Sequence, residues 1–489
     1  MSETVATPAL RQAGKDPLEP FLAAPRVVPP LDVGFRPILL ARRELEAAAA
    51  RSGRGVRVTL AVEQPGWAAC VRDAVVFPDG DARAAAGHLL CERLLKSMLW
   101  ARGGSRIWVD GPAGLVDAVR RHYDASATGR FDVATIATTV FEEPFEVVAA
   151  ARSDFPVAGE TTTALGGHLD GCRIGFDLGA SDRKAAAVID GQVVFSEEVV
   201  WDPVHQPDPQ WHFDQIMDSL HRAALHLPRV DAIGCSAAGI YVDGRVRVAS
   251  LFRAVPPALF RSRVADLFLE VQAAWGGIPF ALMNDGDVTA LSGAMLAGVG
   301  GLLGIAMGSS EAAGYVTRER TLTRRLNELA FVPLDAAPDG PIDDWSGDRG
   351  CGAQYLSQQA VGRLLPVAGI DVAAGTPLPD QLLLLQSLMA DGDDRARRVY
   401  QTIGTYLGYA LLDYRTLYDV DHVLVLGRVT SGPGGDAIVD RAEEVLRAED
   451  PGAAAAVAFH RVSERDKRHG QAVAAASLPS LPQARPPTV

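Results

Sequence analysis

One stretch limits what this chain can fold into more than any other. Residues 171–200 read GCRIGFDLGASDRKAAAVIDGQVVFSEEVV, three apolar runs separated by Gly-containing turns. Such runs, crossed by tight Gly turns, predict an antiparallel β-meander. The same strand–Gly–strand unit recurs, at 174–188 and at 303–316 (LGIAMGSSEAAGYV). A repeated supersecondary unit predicts two related halves.

Around these units the chain alternates strands and helices. A helix over 214–226 is expected, then a strand ending in a Gly turn (VDAIGCSAAGIYVDGRV) and a long helix over 258–274. FALMND leads from a strand into the helix GDVTALSGAMLAG, and HVLVLG is a buried strand before helix 436–448 in a region otherwise helical after Leu356. Residues 55–152 read as a smaller α/β unit. VRVTLAV, VRDAVVF and SRIWVDG are its strands, 82–100 a helix with Leu90, Leu94 and Met98 on one face, and 131–150 one or two further strands. Residues 1–54 read as an extended arm, partly ordered, because Pro25, Pro29 and Pro30 oppose a long helix. The tail at 481–489 reads as frayed.

The 489 residues carry 47 Lys plus Arg against 60 Asp plus Glu, a net charge of −13. An acidic chain is a poor partner for nucleic acid or anionic membranes, and no apolar run is long enough to span a bilayer. Cys70, Cys91, Cys172, Cys235 and Cys351 form no CxxC pair, which fits a reducing cytoplasm. In 205–214 (HQPDPQWHFD) a metal site competes with a solvated loop entering a helix, and 463–471 (SERDKRHGQ) reads as a solvated helix start. Trp67, Trp100 and Trp108 are expected in the core.

Four segments carry chemistry. In IGFDLGASDRKAAAV a strand delivers Asp177, Gly179 allows a tight turn, and Ser181 and Lys184 project near it, a geometry suited to phosphate and to a Mg²⁺-bound water on Asp177. In LLGIAMGSSEAAGYV a buried strand ends at Gly308 and Ser309, with Glu311 an awkward neighbour for phosphate unless it points away or binds metal. Gly427, Gly432, Gly434 and Gly435 follow an apolar strand, where a flat adenine could lie against backbone. Asn284 and Asp285 sit where a strand becomes a helix. Asp285 reads either as a general base or as a helix N-cap.

The order of these segments resembles the ROK family of sugar kinases, in the actin and hexokinase superfamily, over about 171–480. DLGASDRK resembles its first phosphate motif, shared with glycerol-type kinases and acyl-CoA-activating ATPases. GCSAAGIYVDGRV is similar to its Gly-x-x-x-Pro-Gly segment with Ala238 for Pro, and MNDGDVTALSG to its Asn-Asp motif. NELAF (327–331) resembles its Gly-Glu-x-Gly-His segment, GCGAQYLSQQAVG the end of its zinc segment, and VLVLGRVTSGPGG its adenosine motif.

The resemblance implies a two-lobed, ribonuclease H-like ATPase fold, lobes meeting near 284–300, with an extra N-terminal α/β region at 55–170 of unread role. It implies ATP and Mg²⁺, a sugar or polyol acceptor, Asp285 as base, and Asn284 and Glu328 as substrate contacts. A homodimer is compatible with it. Phe331 at the His position and a lone Cys351 imply no zinc. A second family sugar-contact Glu has no match near Ala353 and Gln354, and residues 1–170 do not match the winged helix of ROK repressors. A ligand-binding sensor and an acyl-CoA-activase type ATPase remain as alternatives.

Overall fold

The computed structural model describes residues 16–481, apart from 65, 67, 160, 161, 164, 165 and 461–463. Trp67, the first 15 residues and most of the C-terminal tail therefore lie outside the described residues, as do the side chains at 461–469.

The meander forms as the sequence requires. Cys172–Leu178, Asp182–Ile189 and Gln192–Val200 pair antiparallel in order. Ala232–Ala237 and Phe280–Asn284 then add in parallel on the other side of Cys172–Leu178, giving five strands. The second large sheet repeats the plan. Leu302–Met307 pairs antiparallel with Glu311–Val316, while His422–Leu426 and Ala458–His460 add in parallel. Short strands Leu322–Thr323 and Thr162–Thr163 complete it. The helix Asp285–Ala297 runs from the first sheet to the second. The helix Glu464–Ala476 lies against the first sheet so closely that a Cβ at Gly175 or Gly234 would collide with its backbone.

The N-terminal unit forms a four-stranded sheet in the order Ala69–Val76, Val56–Glu63, Arg106–Asp110, Glu146–Ala149. Three readings of the sequence need correction. Residues 133–141 form a wide π-type helical turn, Val133–Phe141, instead of a strand. Its β-branched run continues the helix Ala127–Asp132, whose Asp132 is anchored by Lys96 and Trp100. The arm is not extended throughout: Ile38–Arg51 is a helix that buries Ile38, Leu39, Ala41, Leu45 and Ala49. The prolines before it end at Pro37, just outside the first turn, where proline is harmless. The expected long helix at 258–274 is broken by a π turn, Phe260–Val264, in which the Ala265 N–H reaches back to Phe260 and the Ala265 carbonyl is taken by Val246.

The N-terminal unit is not a separate body. Its core, from Leu18 to Ile136, is continuous with that of the second half, from Leu303 to Ala453. The joint is the helix Ala84–Arg102. Trp100 is fully buried, its ring 4.1 Å from that of Phe331. Lys96, also fully buried, sits 2.8 Å from Asp132 and 3.0 Å from Asp348, and Arg93 adds a second contact of 2.7 Å to Asp348. Phe331 is thus part of the core shared by the two units, and Cys351 is fully buried. Burial pushes the Cys351 thiol up.

Removing one member of a buried ion pair strands its partner and typically costs about 3–5 kcal/mol, whereas an exposed pair is worth about 0–1 kcal/mol. Lys96→Met is expected to lower the denaturant midpoint by an amount in the first range. Arg57→Met, which removes an exposed partner of Asp73, is expected to stay in the second. Equal effects of the two substitutions would contradict this account of the joint.

Candidate functional site

The parallel strands Cys172–Leu178, Ala232–Ala237 and Phe280–Asn284 end side by side, with Asp177 level with Ser236 and Asn284 with Ala237. Ligands gather at such carboxyl ends. The Ser236 hydroxyl donates to Asp177 at 2.6 Å. Lys184, one strand over, lies 3.8 Å from Asp177 and 2.9 Å from Asp182. Burial raises the Asp177 carboxyl, against the pull of Ser236 and Lys184.

Which residue caps the helix is resolved by the geometry. Asn284 accepts from the Gly286 N–H at 2.7 Å and donates to the Gly239 carbonyl at 2.7 Å. Asn284 is the cap, and it also ties the Gly239 turn to the helix. Asp285 is the first helical residue. Its own contact is a 3.0 Å approach from the neighbouring Gly286 N–H, which leaves its carboxylate open. Burial first, and then the charge of Asp177, push Asp285 up to about 6.

Glu328 approaches from the second half. Burial, then Asp285, then Asp287 push it up to about 7. Asp285 thus lies within electrostatic reach of both Asp177 and Glu328. The Glu328 and Asn327 N–H groups donate to the Trp100 and Ala101 carbonyls, both at 3.1 Å. Asn327 sits at φ 54°, a left-handed conformation that Asn tolerates, and its amide donates to Asp287 at 2.8 Å. Burial pushes Asp287 up to about 7. Sequence reasoning missed Asp287 and Asn327; the spacing of Asp287, one turn from Asn284, was the available signal.

The phosphate-loop candidates divide. Gly179 turns back on Asp182, its carbonyl held by the Trp201 indole at 2.8 Å, and the Ser181 hydroxyl donates to Asp182 at 2.9 Å. The Gly308 N–H donates to Ser310 at 2.9 Å, and Ser309 is exposed at the tip. Gly427 has φ 100° and lies against Met307, so the second and third loops are adjacent. The charge of Arg428, which follows Gly427, reaches Asp182 in the first loop. Gly432 is exposed, but Gly434 and Gly435 are buried, against Tyr400 and Thr430. Gly434 admits Tyr400 of helix Asp394–Tyr414 to helix Pro433–Glu449, and Gly435 lets the turn at Thr430 close on that helix.

Glu311 points away from the loop tip. The Tyr414 hydroxyl donates to it at 3.1 Å, its other oxygen lies at Gly352, and burial pushes it up to about 8. In 205–214, Asp208 caps the helix Pro209–Ala224 and His205 pairs with Asp202 at the surface. Among the described residues no group of three His, Cys, Asp or Glu side chains could hold a metal. A Mg²⁺ ion needs no such cage when nucleotide phosphates supply its other ligands, and a single carboxylate such as Asp177 fits that role.

Because Asn284 is the cap, Asn284→Ala is expected to cost about 1 kcal/mol of stability. Asp285→Asn is expected to be neutral, or slightly stabilising above pH 6. There the folded carboxyl, held up at about 6, is charged at a cost that the unfolded chain does not bear. Thermal melts at pH 7.5 check both; a larger loss for Asp285→Asn would return the capping role to Asp285.

No family profile and no curated protein sequence matches the chain. Solved structures do. A ROK family transcriptional regulator, a homologue of the E. coli MLC protein, aligns with a TM-score of 0.52 at 20% identity, covering 75% of this chain and 89% of its own. The ROK hexokinase of Thermus thermophilus aligns at 0.49 and 20% identity, over 62% of this chain and 97% of its own. The ROK glucokinase of Streptomyces griseus, solved with glucose and AMPPNP, aligns at 0.46 and 21% identity, over 63% and 98%. The likeness is one of fold: this chain shares the two-lobed α/β fold of the ROK regulator.

Proposed function

We propose that the chain transfers a phosphoryl group from ATP to a hydroxyl of a sugar or sugar-like polyol, with Asp285 as general base. The observation that carries this reading is the division of labour between adjacent residues. Asn284 does the capping, and Asp285 presents an open carboxylate, held up at about 6, at the carboxyl end of parallel strands. A base poised near the working pH is what proton abstraction from a hydroxyl requires.

In this reading Asp285 takes the acceptor's hydroxyl proton as that oxygen bonds to the γ-phosphorus and the bond to the ADP oxygen breaks. Glu328 and the remaining amide proton of Asn284 orient the acceptor. Gly179, Ser181 and Lys184 face Gly308 and Ser309 across the phosphates, with Gly427 and Gly432 on the nucleoside side. Gly434 and Gly435 act from behind, the first by letting its helix dock on Tyr400 and the second by letting the Thr430 turn close. Mg²⁺, held through water on Asp177, would neutralise charge developing on the phosphates. Catalysis is then mostly positioning and electrostatics.

A sensor reading has one observation in its favour: the solved structure aligned at 0.52 is a transcriptional regulator. In that reading the open Asp285 would only accept a hydrogen bond from a ligand hydroxyl, without taking its proton.

Asp285→Asn separates the two. Loss of a general base is expected to lower turnover by ~10²–10⁴-fold, about 3–5 kcal/mol of barrier, while the melting shift with Mg-ATP is kept. Turnover of the unsubstituted chain should rise with pH through about 6, because only the deprotonated carboxylate accepts a proton. A folded Asp285→Asn chain with near-normal turnover would remove this mechanism.

A further inference from the structure

A cavity of about 370 Å³ opens beside the first turn of helix Asp285–Ala297, and four parts of the chain wall it. Phe141 comes from the N-terminal unit, Tyr241 from the hairpin of Ile240–Val242 and Arg245–Val248, Phe268 and Leu269 from helix Leu267–Ala274, and Leu326 from the segment leading to Glu328. Asn284 and Asp287 line it, while Asp285 between them lies near enough to Asp177 to feel its charge. The walls are strapped together. Arg247 pairs with Glu142, Arg324 with Asp243 at 2.8 Å, and the Gln64 amide donates to the Arg324 carbonyl at 3.2 Å.

The volume falls in the usual range for a small-molecule site, but the chemistry does not suit a bare sugar. Several polar groups on the walls are already partly engaged, and the charges of Arg324 and Asp243 are spent on each other. One amide proton each of Gln64, Gln272 and Asn284 goes to the Arg324, Ile278 and Gly239 carbonyls, and one Asp287 oxygen accepts from Asn327 and Tyr315, which leaves few groups for a ring of hydroxyls. Every buried sugar hydroxyl needs a partner, and one left without it costs more than its burial returns. An aryl or short alkyl group, by contrast, would meet Phe141, Tyr241, Phe268 and Leu269 at no such cost.

We propose that this cavity holds the apolar end of the substrate, so that the molecule bound is a glycoside or polyol carrying an aryl or short alkyl group and not a free hexose. The inference rests on the kinase reading for the site of phosphorylation, and on the cavity walls alone for the apolar group.

The test is a panel of free sugars and their phenyl glycosides, read in two ways: ligand-induced melting shift, and phosphate transfer with Mg-ATP. The expected result is that some phenyl glycoside binds about 10-fold or more tightly than its free sugar. Leu269→Trp, which fills the cavity, and Phe141→Ala, which removes a wall, should each abolish that preference. The Mg-ATP shift reports that both variants are folded. Binding of a phenyl glycoside that is lost in Leu269→Trp, without phosphate transfer, upholds the cavity and removes the kinase reading. Equal binding of free sugars and phenyl glycosides, a preference that survives both substitutions, or no phenyl glycoside bound at all overturns the cavity assignment, whatever the transfer assay shows.

Discussion

Two hydrogen bonds at the end of one helix tie the carboxylates of the candidate site to the rest of the molecule. The last carbonyls of any helix lack intrahelical partners. In helix Ala84–Arg102 the Trp100 and Ala101 carbonyls accept from Glu328 and Asn327. The Trp100 ring then covers Phe331 three residues on, and Lys96 and Arg93, one turn or two back, hold Asp348. An N-terminal unit whose role cannot be read from its own sequence therefore fixes the turn that carries Glu328. That turn reaches Asp287 through Asn327, and Asp287 shares its helical turn with Asn284 and Asp285.

The cost of this arrangement is electrostatic. Asp285, Asp287, Glu328 and Glu311 are all held above their ordinary range, first by burial and then, in most cases, by one another. Such crowding is stable only where the surrounding packing dictates it, and it is typical of sites that move protons. The shared core, where Trp100 packs on Phe331 and the half-buried Phe131, supplies that packing.

Much of the fold was legible because its signals are local. The meander at 171–200 and its echo at 303–316 are spelled by Gly turns between apolar runs, and both sheets follow that plan. The π turns at Val133–Phe141 and Phe260–Val264 were not legible. A β-branched run reads as a strand until Lys96 and Trp100, distant in sequence, fix Asp132. The site was half legible. Motif order named Asp177, Asp285 and Glu328, but only the folded chain could assign the cap to Asn284, turn Glu311 away from the loop, and spend Gly434 on helix packing. Spacing cannot tell a glycine that admits a ligand from one that admits a neighbouring helix.

The central claim is that the N-terminal helix holds the Glu328 turn in place, and amide hydrogen exchange tests it most directly. If the Trp100 and Ala101 carbonyls hold these amides, Asn327 and Glu328 exchange as slowly as the strand Leu302–Met307. In that case Lys96→Met speeds both amides before it speeds the strand. Exchange of Asn327 and Glu328 at the rate of an exposed loop in the unsubstituted protein would contradict the account.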